Sequence, residues 1–243
     1  MFRKIFTFSL TILCLISYSS YSQILIEKIV RADSLFEQNK YDEAEMLYEE
    51  IFYKNQTYSE KMLIQLAFIA SQKKDYVRYL YWLNLYLQVN PNVEIAEKIE
   101  NTATAYELTG YEISDGRWFL IYYHYYYKFI VLGVCVLVSI LLVSFFFSKQ
   151  NAITFRRNGI LLLLFLLGVI VLLNVVPPIK EAVIAGESTY LMLAPSSASQ
   201  VAGIASKGQK VRVVGENDIW LEIIWNKQKV FVKKTQVYFA NLL

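Results

Sequence analysis

The chain has 243 residues, 56% of them hydrophobic, against the roughly 45–50% of soluble domains. Its net charge of +3 is divided: residues 23–117 carry ten Lys/Arg against sixteen Asp/Glu, and residues 180–243 carry eight against five. That pattern has no basic stripe interleaved with stacking aromatics, which argues against nucleic acid as a partner. The single histidine, His124, and two cysteines, Cys14 and Cys135, both in apolar runs, argue against a His-based metal site, a Ser-His-Asp site and a disulfide framework. No Gly-rich phosphate loop occurs either, so the expectation is a protein that is not an enzyme, with no catalytic residues, cofactor or metal.

Residues 1–22 read as a secretory signal. Arg3 and Lys4 precede the apolar run Ile5–Ile16, and Ser20 and Ser22 supply small residues before a cut at Gln23. A cleaved signal places the next segment outside the cytoplasm.

Residues 23–109 show helical periodicity. Two helical pairs repeat at a shift of 35 residues: Ala32 with Ala67, Asn39 with Lys74, Tyr41 with Tyr76, and Ala44 with Tyr79. Asn90-Pro91 stops the second pair. The segments Asn39–Ala44 and Lys74–Tyr79, with Pro91, resemble the signature of tetratricopeptide (TPR) repeats, whose period is 34 residues. The resemblance assigns Ala32, Ala44 and Ala67 to close helix contacts. It departs from the family at Asn39 and Lys74, where Gly is usual, and at Tyr79, where a small residue is usual. Val93–Leu108 reads as a solvating helix that caps the array.

A linker, 110–117, leads to an aromatic cluster of Trp118, Phe119 and five tyrosines between Tyr122 and Tyr127. This reads as an interfacial belt above a membrane helix, 118–147. Phe129–Phe147 and Gly159–Val176 are uncharged runs of 19 and 18 residues. Each is long enough to cross a hydrocarbon core of about 30 Å. The loop 148–158 between them carries Lys149, Arg156 and Arg157 and no acidic residue. Its charge predicts a cytoplasmic face, and hence a transmembrane α-hairpin with both flanking domains outside.

After a second linker, 177–186, residues 187–243 change to a period of two. Five short strands are expected, at 189–192, 201–205, 210–215, 220–225 and 229–233, as in a small barrel. Tyr190-Leu191-Met192 with Ala194-Pro195-Ser196, then Lys207-Gly208 with Val211-Arg212-Val213, then Trp220 with Ile223 and Val230-Phe231-Val232 resemble the bacterial SH3 (SH3b) family. Alternation puts Leu221 and Ile223 in the core and Trp220 and Glu222 on the other face; Trp220 then either lines a shallow candidate ligand groove with Glu222 and with Tyr190 as neighbour, or closes the end of the barrel.

The expected fold class is therefore multi-domain: all-α TPR-like repeats, a membrane hairpin and a C-terminal all-β SH3-like barrel. The order of parts resembles the TPR/SH3b two-span membrane proteins of Bacteroidetes-type bacteria, including those of the BatE aerotolerance type. That resemblance implies an inner-membrane scaffold with periplasmic modules that bind a protein or peptide in envelope assembly or stress. The alternative is a wall-binding sensor, or an accessory to a wall hydrolase, with peptidoglycan as ligand. Neither reading fixes the oligomeric state.

Overall fold

A computed structural model describes residues 24–147, 152–175 and 180–239. The signal sequence, Lys149 and Pro177-Pro178 lie outside the described residues. Within them, seven helices precede an antiparallel sheet of seven strands. The chain divides into two compact units, Met1–Tyr86 and Leu87–Leu243.

The first unit holds helix α1 (residues 24–37), α2 (Tyr41–Tyr53), α3 (Glu60–Gln72) and most of α4 (Tyr76–Val89). Ala32, Ala44 and Ala67 are fully buried, which lets the helix backbones approach closely. The two helical pairs end their first helices identically. Lys40 N donates to Leu35 O and Asp75 N to Ala70 O, both at 2.9 Å. Asn39 N donates to Phe36 O and Lys74 N to Ser71 O, both at 3.0 Å. These are Schellman turns, which need a left-handed residue just past the helix. Asn39 and Lys74 occupy that position at φ 59° and 56° without being glycine.

Tyr41 packs edge-on against Phe36 and Phe68, with centroids 5.5 and 5.7 Å away, and so ties α2 to α1 and α3. Helical spacing in α4 places Tyr76, Tyr79, Leu80, Leu83, Tyr86 and Leu87 on one inward face, and the structure departs from that face. Val77, Tyr81 and Trp82 are buried beside Leu80 and Leu83, while Tyr76, Tyr79 and Tyr86 are half-buried. Apolar residues surround this helix on nearly every side, so periodicity does not select a face.

Charge also binds this unit. Glu45, only 7% exposed, pairs with Lys73 at 2.6 Å and Arg78 at 3.0 Å; Arg78 also pairs with Glu49, and Lys73 with Asp42. The acidic face of α2 is thus neutralised from the α3–α4 turn. Tyr48, buried, sits 2.6 Å from Asp33 Oδ1 and 2.8 Å from Gln65 Oε1, its proton shared between them. Burial, then the Asp33 carboxylate, raises its phenol far above the usual range.

The second unit begins with α5 (Val93–Ala105), capped by the Asn92 side chain, which accepts from Glu94 N at 2.8 Å. Helix α6 spans Asp115–Phe147, 33 residues or about 50 Å. Residues Asp115–Phe145 are long and apolar enough to cross a membrane. Such a helix exceeds the hydrocarbon thickness by about 20 Å. Its first turns carry an aromatic ladder, Trp118, Tyr122 and Tyr126, stacked at 5.6 and 6.4 Å by i,i+4 spacing. Ile121 and Tyr123 on these turns are buried, so this level packs against protein on one side.

Helix α7 (Ala152–Val175) follows, and lies beside α6 at the reversal, where Asn158 Nδ2 donates to Ser144 Oγ at 3.4 Å. A Cβ added at Gly159 would meet the Phe145 ring at 3.3 Å. Arg156 and Arg157 are exposed on α7 instead of in a loop, because no breaker stands between Ala152 and Asn158 to stop the helix starting early.

The strands are β1 (Glu181–Ile184), β2 (Ser188–Met192), β3 (Val201–Ser206), β4 (Lys210–Asn217), β5 (Trp220–Trp225), β6 (Gln228–Lys233) and β7 (Val237–Phe239). A 3₁₀ turn, Lys234–Gln236, joins the last two. Their order in the sheet is β3-β2-β6-β5-β4-β1-β7. Alternation puts Val211, Val213, Leu221, Ile223, Val230 and Val232 in one core with Leu191 and Ala205.

Two strands were not expected. β1 falls inside the stretch read as linker 177–186, and it pairs with β7, Ala182 opposite Phe239 and Ile184 opposite Val237. Segments of four and three residues are too short to show a period of two. They become strands because each completes the other's hydrogen bonds and buries Ala182, Ile184 and Val237.

Candidate functional site

The β domain holds a cleft of about 340 Å³. Tyr190 and Met192 of β2, Ser197 of the following loop and Val201 of β3 form one side, and Trp220, Lys233 and Gln236 the other. The loop wall is held by its own bonds: Leu193 N donates to Gln200 O at 3.0 Å, and Ala194 N to Ser199 Oγ at 3.0 Å. Trp220 is 6% exposed and forms a floor, whereas Tyr190 is 54% exposed and stands at the rim. Trp220 and Lys233 are directly opposed across β5 and β6, so their side chains share a face. The Lys233 ammonium consequently lies 5.4 Å from the Trp220 ring centroid.

The structure brings together two of the three expected groove residues. Tyr190 and Trp220 line one cleft, while Glu222 does not line it. Glu222 pairs instead with Lys229 at 2.9 Å, and its carboxylate fills the space beside Gly215, where a Cβ would lie 2.7 Å from Oε2. The β4 bulge between Val213 and Gly215 offsets the register and makes that room. Nothing in the sequence marked Met192, Val201, Lys233 or Gln236 as cleft residues, because their meeting depends on pairing between distant strands.

A second polar centre lies where segment 109–117 meets β1 and β4. Tyr111 is 2% exposed and its hydroxyl donates to Gly208 O at 2.7 Å. Lys210 N donates to Thr109 O at 3.1 Å. Between them Gly110, at φ 88°, passes so close that a Cβ would lie 2.2 Å from Lys210 O. Arg117 Nη2 donates to Glu181 Oε2 at 2.6 Å, and Nη1 pairs with the other oxygen. The Lys210 ammonium, with a side chain 2% exposed, is 3.8 Å from Glu181 and 4.7 Å from the Tyr111 ring centroid. Glu181 is shared between Arg117 and Lys210, and the Lys210 ammonium is almost wholly removed from water. Burial, opposed by Glu181, pulls its pKa down to about 7. Burial raises the Tyr111 phenol far above its ordinary value. The stretch read as linker 110–117 is thus fastened to the sheet.

The remaining residues singled out by sequence are structural in their surroundings: Ala32, Ala44 and Ala67 in the helical interior, Tyr41 in its aromatic trio, and Tyr76, Tyr79 and Pro91 half-buried. Among the described residues no group of three or more His, Cys, Asp or Glu side chains is placed to hold a metal ion. No protein-family model matches the chain, and no curated protein matches it.

Proposed function

We propose that the protein is a non-enzymatic adaptor of a bacterial inner membrane, presenting a TPR-like helical module and an SH3b-like barrel on the periplasmic side. The observation that carries this reading is the ordered cleft floored by Trp220 and edged by exposed Tyr190, a shape suited to a peptide. The repeated helix–turn–helix bonding at Asn39 and Lys74 supports the first module as a repeat array of the kind that binds protein segments. The exposed apolar flank of α6, with apolar α7 beside it, supports a two-span hairpin. In the sequence, Lys149, Arg156 and Arg157 fall between the two apolar runs, which supports a cytoplasmic turn by the positive-inside rule.

The test is cross-linking capture from intact cells with the full chain and with Tyr190→Ala, a rim substitution that leaves the core untouched. A partner captured by the wild type and lost with Tyr190→Ala supports the adaptor. Equal capture by both removes the cleft as its binding surface, and recovery of muropeptides in place of protein favours the wall-binding alternative. A cysteine at Asn217 modified by an impermeant reagent, with one at Asn151 protected, supports the orientation; the reverse overturns it.

A further inference from the structure

We infer that the cleft takes the C-terminal end of a peptide chain, its free carboxylate on Lys233 and a large apolar last side chain on Trp220. This rests on the peptide-binding reading above and goes further by naming which part of a peptide is held.

Charge comes first. Of the cleft's lining residues Lys233 is the one ionic group, and no carboxylate lines the cavity. Neighbouring cations are already engaged: Lys229 with Glu222 at 2.9 Å, Lys234 with Glu216 at 3.1 Å and Lys207 with Glu187 at 3.0 Å. Among the described residues no acidic side chain lies within ion-pair distance of Lys233, whose ammonium rests over the Trp220 ring. An anion entering the cleft would displace no existing pair.

Size and lining then choose the kind of anion. At about 340 Å³ the cavity is at the low end of small-ligand sites, which run from about 300 to 1,000 Å³. It suits the end of a chain better than a long strand passing through. Trp220, Met192, Val201 and Tyr190 form walls that reward a large aliphatic or aromatic side chain. The Gln236 amide and Ser197 hydroxyl add neutral partners for the last peptide groups.

The probes are Ac-Ala-Ala-Leu with a free carboxylate, the same peptide amidated, and diacetyl-Lys-D-Ala-D-Ala, titrated by ligand-observed NMR into the full chain in detergent micelles. The free acid should bind about fivefold more tightly than the amide, the size of a half-exposed charge-assisted contact. Lys233→Gln should erase the difference, Lys233→Arg should keep it, and Lys227→Gln, away from the cleft, should leave it unchanged. Near-UV circular dichroism confirms that each variant is folded. Equal binding of acid and amide overturns the carboxylate contact while leaving a peptide cleft in place. Tighter binding of the D-Ala-D-Ala probe overturns the large apolar residue and favours a wall stem. Absence of binding by all three overturns the inference, and capture that still depends on Tyr190 would then leave the adaptor reading standing.

Discussion

Replacing Lys210 by methionine tests the electrostatic account of the second polar centre. Among the groups facing this lysine are Glu181 from β1, Arg117 from α6, Tyr111 from the preceding segment and, at longer range, Glu100 from α5. Burial, opposed by Glu181, lowers the Lys210 pKa from the ordinary 10.5 to about 7. Between those values the unfolded or detached state holds more protons than the folded one, so stability rises as pH rises through the window and is flat below it. A fall of that size corresponds to a ceiling of about 5 kcal/mol. From pH 7 to 8.5, with the folded lysine half-protonated at the start, the expected gain is about fifteenfold in the closing equilibrium. Hydrogen exchange of the full chain in micelles reads this directly, at peptides covering 109–117 and 206–213, after correction for intrinsic exchange. Wild-type protection should climb with pH by that factor. Lys210→Met should be flat and, at pH 6, better protected than wild type. Wild-type protection that is flat or falls, or a methionine variant that keeps the slope, would refute the reasoning.

Two further substitutions probe the helical unit, each read by thermal unfolding followed in the far-UV. Lys74→Gly should stabilise by about 0.5–1 kcal/mol, because it relieves left-handed strain of about 1–2 kcal/mol at the smaller entropic cost of glycine; a loss would show that the side chain contributes more than its backbone costs. Arg78→Met should destabilise by about 2–4 kcal/mol, since it leaves Glu45, 7% exposed, and Glu49 short of a partner. Burial already raises the Glu49 carboxyl, so part of that loss should be recovered on acidification, as protonation removes the stranded charge.

The sequence alone determined the parts and their order. Helical and alternating periods are local, and a 35-residue shift is visible without coordinates, as is an uncharged run from Phe129 to Phe147. Tyr190 and Trp220, named from the sequence as candidate groove neighbours, line one cleft, although alternation within a strand says nothing of pairing between β2 and β5. Glu222 shows the limit: it lies on the same strand face as Trp220 by parity, yet a bulge and the ion pair with Lys229 turn it to another purpose. Only tertiary structure decided that β1 and β7 exist, since each is stable by pairing with a segment more than fifty residues away. It alone decided that Lys233 faces Trp220, and that Tyr111, Arg117, Glu181 and Lys210 meet in a buried centre. Hydrophobic period is written residue by residue, but burial of a charge is a property of what the rest of the chain places around it.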